Sequence, residues 1–334
     1  MIFRTEVSLP KVAAQLSYRR NALMVGSCFT QNIGNHLDRH LFPVVTNPCG
    51  ILYNPASIGN CIDFLTGDKK INESDLFQTN GLWNNFSFHS RFSHPDKETA
   101  LQMMNDSVTL ASIKLKTASH LFITLGTSWV YRDREDGKIV GNCHKLPAGR
   151  FTRERLSVEV MNAQWSGLLN KLFKEYPELI IVFTVSPIRH MKDGSYENQV
   201  SKSALFLLID QLKSGFKSDR LVYFPSYDLV MDELRDYRFY DNDMVHLSET
   251  ATAFILEKFN DVFLSNESKE IYFTLTKIIK SLSHRPFQTD SSTYMEFLAR
   301  LNEEILRLAE TYPFINFERL INDIIQKKSP LNFF

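Results

Sequence analysis

Cysteine is scarce in this chain of 334 residues. The four present, Cys28, Cys49, Cys61 and Cys143, form no Cys-x-x-Cys pair and show no zinc-ligand spacing. That argues against a disulfide framework or a structural metal, and for a reducing compartment. An excess of one charge is also missing: 38 Lys and Arg balance 38 Asp and Glu, and the isoelectric point is near 7.1. Without a basic field, nucleic acid and anionic membrane surfaces are poor partners. No apolar run approaches the ~20 residues of a membrane span. Met1–Arg20 carries scattered charges and no apolar core of the kind a signal peptide needs. A soluble, cytoplasmic protein without metal or cofactor is expected.

The apolar content, 43%, suffices for one large α/β domain with an appendage. Apolar, β-rich runs at Leu23–Val25, Leu121–Leu125, Leu179–Val185 and Leu221–Phe224, with a weaker one at Val44–Val45, read as strands. Helical patterns fall between and after them, at Thr30–His40, Glu98–Ala118, Val158–Glu175, Tyr196–Ser218 and Ser248–Phe263. The alternation predicts a mostly parallel sheet covered by helices on both faces, joined by right-handed crossovers. Active sites of such sheets lie at the carboxyl ends of the strands. Ser27, Gly126, Ser186 and Ser226 fall at or just past those ends.

Two segments, 75–95 and 128–155, break the rhythm with aromatics, Asn, His and Gly, and are placed to wall the site. In the second, Trp129–Arg132 and Lys138–Val140 around Asp136-Gly137 predict a β-hairpin. From about Asn266 the character changes. Tyr294, Phe297, Leu298, Leu301, Ile305 and Leu308 make one helical stripe, and Phe317, Leu320, Ile321 and Ile324 another, with Pro313 between. The division expected is a catalytic-type domain over 1–265 and a helical extension over 266–334, docked on the core or on a second copy as a homo-oligomer.

Gly26-Ser27-Cys28-Phe29 joins the first strand to the first helix. A hydroxyl there meets the positive end of the helix macrodipole and amides that can hold an oxyanion. Far down the chain, Asp243 and His246 stand three apart, just before the helix that starts near Ser248. A turn over that link lets the carboxylate hold Nδ1 and leaves Nε2 to take a proton from a serine. The alternative is that both residues cap the helix. Asp241 lacks the Asp-x-x-His spacing. Cys28 is either a second nucleophile at a helix N-terminus or a core residue. His144 and the Arg189-His190 pair follow strand ends, as substrate-binding groups or as scaffold. His89 and His94 read as surface residues of a polar loop, and no histidine pair has metal-ligand spacing.

Taken together, Gly26-Ser27-Cys28-Phe29, Asn47-Pro48-Cys49-Gly50-Ile51-Leu52-Tyr53-Asn54-Pro55, Thr124-Leu125-Gly126-Thr127, Asn142-Cys143-His144-Lys145, Ser186-Pro187-Ile188-Arg189-His190, Leu234–Tyr240 and Asp243-Met244-Val245-His246 resemble the GSCFA family of the SGNH (GDSL-like) hydrolase superfamily. The match covers about residues 20–265. The resemblance implies a flavodoxin-like α/β/α fold and a serine esterase with Ser27 as nucleophile, His246 as general base and Asp243 as its orienter. It also implies an oxyanion hole from the amides of Ser27 and Gly50. The superfamily usually adds an Asn in a Gly-x-Asn-Asp block. Here Gly126 is followed by Thr127 and Ser128, so a hydroxyl of these, or the side chain of Asn142, is the candidate third donor. The function expected is hydrolysis of an ester, such as an acyl group on a carbohydrate. The alternatives are O-acyl transfer on the same triad, or a carbohydrate- or ligand-binding module with a degenerate oxyanion hole.

Overall fold

The computed structural model describes residues 5–67, 69–284, 286–288 and 291–328. Five strands form the central sheet: β1 (Asn21–Gly26), β2 (Val44–Thr46), β3 (Ala118–Leu125), β4 (Ile180–Val185) and β5 (Leu221–Tyr223). All eight residues of β3 and all six of β4 are buried, because both sheet faces are covered. The strands run parallel in the order β5-β4-β3-β1-β2, the flavodoxin-like arrangement. Gly26 lies opposite Thr124 and Thr124 opposite Thr184, so the carboxyl ends of the three central strands are level.

Strand side chains alternate between two cores. Leu23 and Val25 of β1 join Leu121, Ile123, Ile181 and Phe183 on one face, while Ala22 and Met24 join Phe122, Ile180 and Val182 on the other. Helix α1 (Cys28–Arg39) covers the second face; α2 (Pro55–Leu65), α3 (Lys97–Leu115), α4 (Val158–Glu175) and α5 (Gly194–Phe216) cover the first. Helix α6 (Glu249–Phe263) returns to the side of α1.

Three more helices extend that second core: α7 (Asn266–Ser283), α8 (Ser292–Thr311) and α9 (Glu318–Lys328). Tyr294, Leu298, Leu301 and Ile305 are buried, and Phe297 and Leu308 partly so. The stripe is therefore covered by its own chain. Tyr272 of α7 bonds His36 of α1 at 2.6 Å, and Arg319 of α9 pairs with Asp38 at 2.7 Å. Sequence reading did not separate α7, although Ile271, Leu275, Ile278 and Leu282 give it a regular buried stripe. Among the described residues no helix is long and apolar enough to cross a membrane.

Both irregular segments are small antiparallel sheets. Phe77–Thr79 pairs with Leu82–Asn84 through Asn80-Gly81, both at positive φ as a tight hairpin turn requires. Trp129–Asp133 pairs with Ile139–Val140 as expected, and also with Phe151–Arg155, a third strand the sequence reading missed. Charged Arg153, Glu154 and Arg155 blur its period. The Arg150–Asp133 pair at 2.7 Å and the Arg132–Glu154 pair at 2.5 Å fasten the layer.

Candidate active site

Ser27 is the residue between β1 and α1. It is 1% exposed, and its Oγ has no hydrogen-bond partner among the described residues. Among the described residues no partner is found for its backbone amide either, whereas the preceding amide, of Gly26, is held by Asn47. Gly26 sits at φ +149°, and a Cβ there would stand 2.4 Å from the Thr124 carbonyl, so only glycine lets β1 meet β3. Asn47, buried and at φ +50°, clamps the turn: its Oδ1 accepts from the Gly26 amide at 2.8 Å and its own amide donates to Met24 at 2.8 Å. Its Nδ2 donates to Gln31 at 3.1 Å, and Arg91 donates to its carbonyl. The local sequence around Asn47 carries no signal of this role, because its partners Gly26 and Gln31 lie 21 and 16 residues away.

Asp243 and His246 form the pair that their spacing suggested. His246 Nδ1 lies 2.5 Å from Asp243 Oδ2, and Oδ1 accepts from the amides of Val245 (2.9 Å) and His246 (2.8 Å). The bond from the His246 ring, with those two amides, holds the Asp243 carboxyl down at about 2. Neither residue caps α6; the hydroxyl of Ser248 does, accepting from Ala251. Nε2 of His246 has no partner among the described residues. Ser27 opens α1 and His246 lies two residues before Ser248, the N-cap of α6, so both stand near the amino ends of helices that share one face of the sheet. The Asp243–His246 link is made; Ser27 Oγ and His246 are not hydrogen-bonded to each other.

The remaining donors are engaged elsewhere. The Gly50 amide donates to the Asn47 carbonyl at 2.7 Å. Thr127 Oγ1 bonds Ser201 of α5 at 2.9 Å, and the Ser128 hydroxyl and amide bond the same Ser201 Oγ at 3.1 and 2.8 Å. Asn142 donates to Ser90 at 3.2 Å and accepts from the His144 amide at 2.9 Å. His144 is buried, with Nε2 at 2.8 Å from the Asn85 carbonyl, and burial pushes its pKa down. It ties the two irregular segments together.

Arg189 and His190 do reach the sheet edge. Nε2 of His190 would stand 3.1 Å from a Cβ on Gly126, and its ring meets Tyr53 edge-on. Burial first, then Lys202, Arg153 and His246, take His190 to about 4. Arg189 rests on Met231 and lines a cleft of about 530 Å³ with Met191, Leu234, Tyr237 and Asp243. Cys28 is half-buried, and burial raises its pKa, so its thiol stays protonated. Among the described residues no group of three or more His, Cys, Asp or Glu could hold a metal ion.

Fold and sheet edge together define a doubly wound, flavodoxin-like protein whose first strand-to-helix turn carries a free serine hydroxyl. The chain belongs to the GSCFA family, whose model matches residues 21–259; the model for the C-terminal domain of GSCFA domain proteins matches residues 275–327. No curated protein matches the sequence. Among solved structures, the chain is similar to a protein from Parabacteroides merdae described as a GDSL-like lipase, at 13% identity and TM-score 0.38, over 76% of this chain and 98% of that one. It is also similar to an acetyl xylan esterase from Butyrivibrio proteoclasticus, at 11% identity and TM-score 0.37, over 74% and 64% of the two chains. A carbohydrate esterase family 2 enzyme from Corynascus thermopiles is similar at 11% identity and TM-score 0.37, over 80% and 69%.

Proposed function

We propose that this protein is a serine hydrolase that cleaves esters through an acyl-enzyme on Ser27, with His246 as general base and Asp243 as its orienter. Nε2 of His246 takes the Oγ proton as Oγ bonds to the ester carbonyl carbon. The tetrahedral intermediate collapses, the alcohol leaves with that proton, and water then repeats the sequence to free the acid. Catalytic hydrogen bonds tighten when substrate binds, and the Ser27–His246 contact closes at that point. The observation that carries this reading is an unpartnered, buried Ser27 Oγ at a helix amino end, set on the same sheet face as a histidine oriented by a carboxylate. A carbohydrate acyl ester remains the proposed substrate, with the irregular segments walling the site. Trp83 and Trp129 contribute little to that choice, because Lys97 and Arg153 lie over their rings.

A fluorophosphonate probe tests the reading. The wild type should label at Ser27, and Ser27→Ala should lose labelling and at least about 10⁴-fold in ester hydrolysis. The variant should melt no lower, because the lost hydroxyl gives up no hydrogen bond. An unlabelled wild type, inactive on acyl esters and acetylated sugars, would instead support a binding module. That second reading is favoured by the engagement of the Thr127, Ser128 and Asn142 side chains. Acyl transfer differs only in the acceptor, and an acylated sugar among the products would identify it.

A further inference from the structure

With Gly50, Thr127, Ser128 and Asn142 all engaged, one buried donor at the same sheet edge is engaged only in part. Lys202 of α5 is 0% exposed, and its Nζ donates to the carbonyl of Ser186, the first residue past β4, at 2.6 Å. The other two protons of an ammonium there have no acceptor among the described residues, and no carboxylate pairs with it. Ser186 donates its amide to Leu125, so this ammonium lies against the joined ends of β3 and β4. Helix α5 brings Asn198, Ser201 and Lys202, one buried stripe, to those ends: Asn198 accepts from the His190 amide at 2.9 Å and Ser201 binds Thr127 and Ser128. The titratable and charged groups that act on or face Lys202 are the Cys28 thiol from α1, next to the nucleophile, and Arg189 and His190 from the β4–α5 connection. None of these is an anion. A buried, unpaired ammonium costs several kcal/mol, and a negative charge that arises only during reaction would offset that cost.

We propose that the Lys202 ammonium stabilises the oxyanion formed when Ser27 attacks an ester carbonyl, in place of the side-chain donor missing after Gly126. The proposal rests on the serine hydrolase reading above. As the Oγ–carbon bond forms, the carbonyl π electrons pass to oxygen and the Oγ proton passes to His246; the ammonium keeps all three of its protons. In a dry site such a charge acts far more strongly than in water, and it acts on the transition state rather than on the neutral ester. Burial pushes Lys202 down to about 7; Cys28 opposes the shift and Arg189 adds to it. The ammonium is the form present below that value, so activity carried by it declines as pH rises through about 7.

The test is kcat/KM for p-nitrophenyl acetate against pH, on the full chain, for wild type, Lys202→Met and Lys202→Arg, with fluorophosphonate labelling and melting temperatures alongside. Expected are an alkaline limb near pH 7 in the wild type, and a loss of about 10²–10³-fold in kcat for Lys202→Met. That variant should still fold, because relief of the buried charge offsets the donor lost to the Ser186 carbonyl. Lys202→Arg should keep most of the rate and lose the limb. If arginine does not fit, the wild-type limb and the methionine variant decide. Wild-type rate and pH profile in Lys202→Met overturn the proposal. So does activity that climbs through pH 7 with an inactive arginine variant, which would make the amine a base. A wild type that neither labels nor hydrolyses overturns the hydrolase reading and this one together; one that does both, with Lys202→Met indistinguishable from it, overturns this one alone.

Discussion

Ser27 is 1% exposed and sits in a turn held by bonds from distant parts of the chain, whereas the side chains of Asp243 and His246 are 51% and 52% exposed. The carboxylate–imidazole pair is held by bonds that begin and end within residues 239–248, from the Asp243 contacts to the Asp241–His246 and Phe239–Ser248 backbone bonds. The Ser27 turn leans instead on Asn47, itself fastened by Gln31 and Arg91, and on β3 through Gly26. The difference divides the candidate site into one part fastened across the sheet and another whose hydrogen bonds are local, with Phe239, Tyr240, Val245 and Leu247 packing it onto the core beside α6. On the proposed function, the nucleophile is thus held by long-range bonds and its base by local ones.

Asp243→Asn attacks the locally bonded part, and should cause the largest change. It keeps the loop's acceptor but leaves His246 free to take the wrong tautomer. A fall of about 10³–10⁴ in kcat is expected, with an unchanged melting temperature. A variant that unfolds instead would show that the loop is part of the global core. Gly26→Ala attacks the part fastened across the sheet. A Cβ at 2.4 Å from the Thr124 carbonyl, on a φ of +149°, has no room to relax. A loss of roughly 2–4 kcal/mol in chemical denaturation is expected from the clash and the backbone together. An alanine variant as stable as wild type would mean that the β1–β3 contact yields easily. The smallest effect belongs to Met244, which holds φ +58° while 56% exposed. Met244→Gly should stabilise the turn by about 0.5–1 kcal/mol, visible as slower amide exchange at Val245 and His246. Faster exchange there would show that the methionine side chain anchors the loop.

The sheet and most of its helices were legible because β1, β3 and β4 are continuous apolar runs and α1, α6 and α8 carry regular stripes. Phe151–Arg155 was not, since a half-buried strand with three consecutive charged residues has no visible period. Within the candidate site, Gly26-Ser27 and Asp243–His246 were readable because each is a local pattern whose spacing determines what can meet. The partners of the proposed oxyanion donors were hidden by distance: Ser201 lies 74 residues from Thr127, and Ser90 lies 52 from Asn142. Lys202 did leave a trace. The buried stripe Leu205, Leu208, Ile209 and Leu212 of α5, run back two turns, lands on Ser201 and Lys202 and then on Asn198. A lysine at a position where the periodicity demands burial is the signal that went unused.

The two outermost strands, Val44–Thr46 and Leu221–Tyr223, are three residues each, against six, eight and six for the strands between them. A parallel sheet of this kind would otherwise end in a long ladder of unpaired amides and carbonyls, ready to template another chain. Here the ladder is clipped on both sides to about one bonding repeat. The apolar strands that give the sheet its strength are kept in its interior, and little edge remains from which aggregation could be seeded.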